Sequence, residues 1–202
     1  MLKNQELVRD WLKEKGIEDI YEKLCIYSAL VSRWKDKYNI MGGDEDERWR
    51  LIGESLLAID IIKGGEILDI GSGGGLPAIP IGLVIKYEKM VFVEPNERKA
   101  YILSEVIREL EMKNIEIYFE QIENFNRKRK LDFITMRGVP VIKRLLKVII
   151  KLMMDDGTAI LFTDKVSQNV RIFLERGGFG IYNKEHKISG YKGLLYFRKV
   201  ET

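Results

Sequence analysis

The sequence predicts an α/β fold: a mostly parallel sheet that finishes in an antiparallel hairpin and is preceded by a helical extension. Three observations predict it. Residues 1–62 carry only helical periodicity, residues 63–202 alternate short apolar runs with helical stretches, and the last two apolar runs stand too close for a helix between them.

In the first segment, Val8, Trp11 and Leu12 mark a short helix. Ile20, Leu24, Tyr27, Val31, Trp34 and Tyr38 recur at steps of four and three, which puts them on one face of a long helix. Ile52, Leu56 and Ile59 mark a third helix after the break at Gly42-Gly43. Gly64-Gly65 closes this extension and opens the second unit, residues 63–202. Its parallel strands are expected at Glu66 to Ile70, Met90 to Glu94, Ile115 to Phe119, Leu131 to Met136 and Thr158 to Thr163. Helical patterns lie near 77–86, 96–112, 140–153 and 165–176. After Gly177-Gly178, the runs Phe179 to Tyr182 and Leu194 to Arg198 flank a Ser189-Gly190 turn and should pair antiparallel.

Composition narrows the chemistry. The chain has 202 residues, 46% of them hydrophobic, enough for one good core, and 32% charged. No run approaches the roughly 18 apolar residues that span a membrane, and MLKNQELVRDWLKEKG lacks a signal core, so a cytoplasmic protein is expected. A monomer is expected too. With one cysteine, Cys25, and one histidine, His186, internal disulfides and Cys/His metal clusters are ruled out and no metal is expected. The net charge of +3 permits a nucleic-acid partner without identifying one.

The chemistry centres on EILDIGSGGGLP, Glu66 to Pro77, where an apolar strand runs into glycines and a proline opens a helix. Glycines there let a ligand approach the backbone, and Gly71 and Gly73 head that turn. A dinucleotide fingerprint needs glycine or alanine where Leu76 stands, and a P-loop needs a lysine after the glycines, so neither NAD nor ATP fits by those routes. Asp69 suits a ligand carrying an ammonium and a sulfonium better than a pyrophosphate.

Glu94, at the tip of the second strand, is placed to accept hydrogen bonds from both hydroxyls of a ribose, or else to cap the helix at Asn96. After the third strand, Ile122 is a candidate to pack on a purine while Glu123 or the loop backbone bonds its edge. Arg137 ends the fourth strand, where a guanidinium would hold a phosphate or a base edge, or form a structural ion pair.

These residues resemble a family, the small-subunit ribosomal RNA guanine-N7 methyltransferases, also called glucose-inhibited division protein B. DIGSGGGLPAIPI, Asp69 to Ile81, is similar to the family's D-[VI]-G-[ST]-G-x-G-x-P-G-x-P-L, with Ala78 replacing one glycine and Pro80 supplying the second proline. EPNERKAYIL, Glu94 to Leu103, resembles its D-S-x-x-K-[KR]-x-x-F-L segment, Lys99 matching the lysine. ITMRGV resembles [VI]-[TS]-[SA]-R-A, and Tyr38-Asn39-Ile40 resembles N-L-T. Two segments depart: H-x-x-D-S appears as Leu51-Ile52-Gly53-Glu54-Ser55, and a lysine-glycine pair after the fifth strand is replaced by Thr163-Asp164-Lys165.

The resemblance implies a Rossmann-like class I methyltransferase fold and S-adenosylmethionine as methyl donor, leaving S-adenosylhomocysteine as product. It also implies a guanosine N7 of small-subunit (16S) ribosomal RNA, free or in the subunit, as acceptor. Gly71, Leu76, Ile122, Glu123 and Arg137 then fall at cofactor-contacting positions. Arg137 and Asp69 are the candidates to orient the base and to steady the charge that develops on N7. RNA is expected to be gripped by Arg33, Lys35 and Lys37 on the long helix and by Arg127, Lys128, Arg129 and Lys130. The rival readings are a methyltransferase for a small molecule or protein, and a nucleoside-binding module without catalysis.

Overall fold

A computed structural model describes residues 2–38, 40, 43–163, 165–185 and 193–200, with only the backbone described for Asp36 and Lys37. Three helices come first: α1 (Lys3–Glu14), α2 (Tyr21–Tyr38) and α3 (Glu45–Leu56). Then β1 (Glu66–Ile70), α4 (Ala78–Val84), β2 (Lys89–Val93), α5 (Glu97–Glu109), β3 (Ile115–Tyr118), β4 (Leu131–Met136), α6 (Lys143–Leu152), β5 (Met153–Leu161), α7 (Gln168–Arg176), β6 (Phe179–Lys184) and β7 (Leu194–Lys199) follow.

The seven strands form one sheet in the order β3-β2-β1-β4-β5-β7-β6. β3, β2, β1, β4 and β5 are parallel, and β7 runs antiparallel to both β5 and β6. The fold is therefore the predicted one, with the hairpin inserted so that its second strand joins the parallel part. The Ser189-Gly190 turn and His186 lie outside the described residues.

Local chemistry explains the boundaries. Asp44, Asn96 and Ser167 cap α3, α5 and α7, each side-chain oxygen accepting a backbone N–H three residues on. Pro77 caps α4 from just outside it, after a cis Leu76–Pro77 bond, rather than occupying its first turn. β5 begins at Met153, earlier than expected. Residues 154–157, between the expected helix and strand, form an irregular strand entry whose register shifts between Leu131 and Phe133 of β4 and whose two aspartates, Asp155 and Asp156, face solvent.

Alternation along the strands divides the core in two. Leu68 and Ile70 of β1 pack with Val91, Val93, Ile134 and helix residues Leu146 and Ile149. Ile67 points the other way, into a cluster that joins Val8, Leu12, Leu24, Tyr27, Trp49 and Ile52 of the first three helices to Ile79, Phe92 and Leu103. Each large side chain buried this way contributes about 1.5–3 kcal/mol. The amino-terminal helices thus cover one face of the sheet, and they bring α2 and α3 to the glycine turn.

Candidate cofactor site

The strand order reverses at β1, with β2 on one side and β4 on the other, so a crevice opens beyond their carboxyl ends. A cavity of about 280 Å³ lies there, lined by Ile40, Leu51, Gly71, Ser72, Gly73, Gly74, Leu76, Glu94, Lys99, Arg137, Gly138 and Val139. Its floor is the turn after β1. Gly71, Gly73 and Gly75 all have positive φ; a Cβ on Gly71 would stand 2.6 Å from Val139 Cγ2, on the cavity wall, whereas one on Gly75 would run into Ile79 of the core. The turn is tied down from both sides: Tyr27 Oη on α2 donates to the Gly74 carbonyl at 2.9 Å, and Gly73 N donates to Glu94 Oε2 at 2.8 Å. Burial holds the Tyr27 hydroxyl protonated, its pKa raised well above the usual value.

Glu94 is 5% exposed and lines the cavity. Its second oxygen accepts from Asn96 N at 2.9 Å, while the Asn96 side chain caps α5 itself, so Glu94 braces two loops and keeps lone pairs for a ligand. Removing it should weaken nucleoside-cofactor binding by about 1.5–3 kcal/mol, roughly tenfold to a hundredfold, through the loss of charged hydrogen bonds. Calorimetry on Glu94→Ala checks this, and a loss below about twofold would leave Glu94 a loop brace only.

Arg137 closes the opposite wall. Its Nη1 donates to Glu54 Oε2 at 2.9 Å and its guanidinium lies 4.7 Å from the centre of the Phe162 ring. Burial lowers the pKa of this side chain, and the Glu54 carboxylate opposes that by stabilising the charge. Nε and Nη2 have no protein partner among the described residues. The structural ion pair and the place on the cavity wall coexist in one residue.

Asp69 lies beneath the cavity rather than in it. It is wholly buried, Oδ1 accepts from Thr135 Oγ1 at 2.7 Å, and Oδ2 has no partner among the described residues. Burial pushes its carboxyl up to about 7, against the opposing pull of Thr135, Ser72 and Arg137 and with a further push from Glu94. A side chain sealed in this way does not reach an acceptor base, so it could steady a developing charge only from beneath the glycine turn.

Gly71, Gly73, Leu76, Glu94 and Arg137 therefore line one cavity, and Ile122 and Glu123 are not among its lining residues. Ile122 is buried in the apolar cluster that also holds Phe125 and Leu145, and Glu123 faces Arg144 at 3.5 Å. The basic run 127–130 is misplaced as well. Arg127 and Arg129 pair with Glu66 at 2.7 and 2.8 Å, where β1 starts, so they sit at the end of the parallel sheet away from the crevice. Glu66 is 2% exposed, and a buried carboxylate needs those partners. Lys128 and Lys130 are exposed on the same loop. On α2, Arg33 is exposed and Lys35 donates to the Gly43 carbonyl at 2.7 Å, whereas the Lys37 side chain and Asn39 lie outside the described residues, as does Asp164.

Lys99, Leu51 and Val139 join the wall without having been singled out for it. Lys99 had a signal, since a side chain in the first turn of a helix leans back toward its amino end, here toward Glu94. Leu51 and Glu54 fall in the segment that stands where the family has H-x-x-D-S, and that resemblance is the signal that could have found them. A second cavity of about 330 Å³ adjoins the first, sharing Gly138 and Val139, and is lined also by Met136, Phe162, Thr163 and Lys165.

A glycine turn after β1, an acid at the tip of β2 and a terminal antiparallel hairpin define a Rossmann-like methyltransferase. The solved structure of ribosomal protein L11 methylase from Lactobacillus delbrueckii subsp. bulgaricus has the same fold, with a TM-score of 0.58 and 17% identity over 79% of this chain and 81% of that one. The chain belongs to the rRNA small subunit methyltransferase G family, whose model matches residues 20–170. It is 34% identical to ribosomal RNA small subunit methyltransferase G of Brachyspira hyodysenteriae over 75% of this chain and 74% of that protein. The protein of the same name from Chromobacterium violaceum is 30% identical over 67% of this chain and 66% of its own length, just under two thirds. No described helix is long and apolar enough to cross a membrane, and no group of metal ligands occurs among the described residues.

Proposed function

We propose that the protein transfers a methyl group from S-adenosylmethionine to N7 of a guanosine in small-subunit ribosomal RNA. The observation that carries this reading is the pair of adjoining cavities at the carboxyl ends of β1, β4 and β5, which share Gly138 and Val139 as lining residues. The first suits the donor: bare backbone at Gly71 and Gly73, apolar walls from Leu51, Leu76 and Val139, and Glu94 for ribose hydroxyls. The unpartnered Asp69 Oδ2 beneath the turn favours a cationic ligand above it. When bound, the donor supplies a methyl carbon made electrophilic by its sulfonium. The second cavity suits the acceptor base, with the Phe162 ring to pack against it and Lys165 to meet the backbone.

The residues of this chain need only position and shield. Guanine N7 carries an in-plane lone pair and no proton, so no side chain has to act as general base. Arg137, held by Glu54 and Phe162, stands at the boundary of the two cavities and fixes the base edge or its phosphate.

The atom modified is the point to test. Small ribosomal subunits and free RNA incubated with donor should yield RNA that breaks at a single guanosine after reduction and aniline treatment, because a methylated N7 leaves the ring permanently charged and prone to opening. Labelled RNA that resists aniline would remove N7 and leave methyl transfer to another atom, and label appearing only in protein or small molecules would remove RNA as the acceptor.

A further inference from the structure

Between α1, α2 and α3 lies a third cavity, of about 440 Å³, whose lining includes Cys25, Ser28, Ser32, Arg33, Arg48 and Trp49. Arg48 is only 4% exposed. Its Nη2 makes a 3.3 Å hydrogen bond to Ser32 Oγ and its Nη1 a 3.5 Å contact to the Asp44 carbonyl, both long and both to neutral acceptors. Its Nε has no partner, nor does Nε1 of the adjacent Trp49, 1% exposed. Every other buried arginine singled out above, Arg127 and Arg137, meets a carboxylate. Arg48 meets none among the described residues. A buried guanidinium without a counter-charge is costly, and the cost falls when an anion enters beside it. The lining sets the cations Arg33 and Arg48 against the single acid Glu45, so its balance favours that anion.

We propose that this cavity receives a backbone phosphate of the substrate RNA, held by the Arg48 fork with Arg33, Ser28 and Ser32 around it. The inference rests on the acceptor being RNA, as argued above. Position favours a polymer over a free phosphate. α3 carries Arg48 into this cavity, Leu51 onto the donor cavity and Glu54 onto Arg137. From Arg48 to Glu54 the helix advances only about 9 Å, so a strand whose base enters the crevice has a neighbouring phosphate within reach. A guanidinium fork matches phosphate geometry, whereas a lysine there would be a point charge.

The test uses the full chain and two readouts that do not require methyl transfer. Inorganic phosphate, against chloride at matched ionic strength, should raise the melting temperature of the wild type more than that of Arg48→Gln, the comparison cancelling the general effect of phosphate on protein surfaces. For single-stranded RNA, the slope of log affinity against log salt should become shallower by about 0.7 in Arg48→Gln, as for the loss of one phosphate contact. Donor affinity should stay unchanged, which controls for folding. Arg33→Gln, on an exposed residue that folding does not need, should shift the RNA slope the same way. Equal phosphate effects in wild type and Arg48→Gln overturn the site. A phosphate effect lost in Arg48→Gln with an unchanged RNA slope overturns the RNA backbone as occupant and points to a free phosphate compound. If both readouts hold while no RNA is methylated, the phosphate site stands and the methyl-transfer reading falls.

Discussion

Glu54→Ala is expected to destabilise the protein by about 3–5 kcal/mol, the range for breaking a buried ion pair by removing one partner. Glu54 is 4% exposed and ties together two arginines, Arg50 one turn earlier on α3 and Arg137 at the end of β4. Without it, the Arg137 guanidinium beside Phe162 loses its only carboxylate among the described residues, with Nε and Nη2 already lacking partners there. The cost therefore comes from the stranded charge rather than from the lost attraction. Urea unfolding measures it, and the double variant Glu54→Ala with Arg137→Met separates the two contributions. If the stranded charge dominates, the double variant should recover most of the loss. A single-variant effect below about 1 kcal/mol would mean that α3 and β4 part and water reaches Arg137, so that the pair does not fix the wall between the two cavities.

The second large effect is a pH dependence centred on Asp69. Its carboxyl stands near 7 when folded and near 3.8 when the chain is unfolded, so the folded protein holds the proton more tightly. The contribution to stability is fully present below about pH 4 and is lost as pH rises toward 7. From 3.8 to about 7, the ionised form is penalised by on the order of 4 kcal/mol. Asp69→Asn keeps an oxygen to accept from Thr135 Oγ1 and removes the titration. Between pH 4 and 7 the wild type should therefore lose stability relative to Asp69→Asn, as followed by denaturant unfolding at each pH. A parallel pair of curves would show that the carboxylate ionises freely in the folded state. A cationic donor above the turn stabilises the ionised form, so its binding should release protons near pH 6 to 7 and tighten as pH rises. Calorimetry in buffers of differing ionisation enthalpy reads that release.

Much of this molecule follows from local pattern. Buried runs such as EILDI and LDFITM have no other use than central parallel strands, and both lie where the apolar residues begin and end. The glycine turn was legible because positive φ at Gly71, Gly73 and Gly75 demands that residue type. Glu94 was legible because strand tips face the crevice in any parallel sheet. The entry to β5 was not, since Asp155, Asp156 and Gly157 break the apolar run and only pairing with β4 draws the chain from Met153 onward into the sheet.

Charge was the poorest guide. Arg127 and Arg129 look like an RNA grip from their run of neighbours, and only the parallel register of β1 and β4 puts them beside Glu66 at the far end of the sheet. Arg48 has no mark in the sequence and Glu54 only its place in the H-x-x-D-S counterpart, and only the packing of α3 among its neighbours buries both, giving Glu54 a cationic partner 83 residues away and leaving Arg48 with neutral acceptors alone among the described residues. Asp69 was visible as an acid in a turn, but its burial depends on α2 closing over it through Tyr27. The sequence by itself determined the strands, the turn and the cofactor class, because backbone conformation and hydrophobic period are properties of neighbouring residues. Which charges are paired, sealed or left open was decided by the tertiary structure, because desolvation and Coulomb energy depend on distances that close only when remote segments meet.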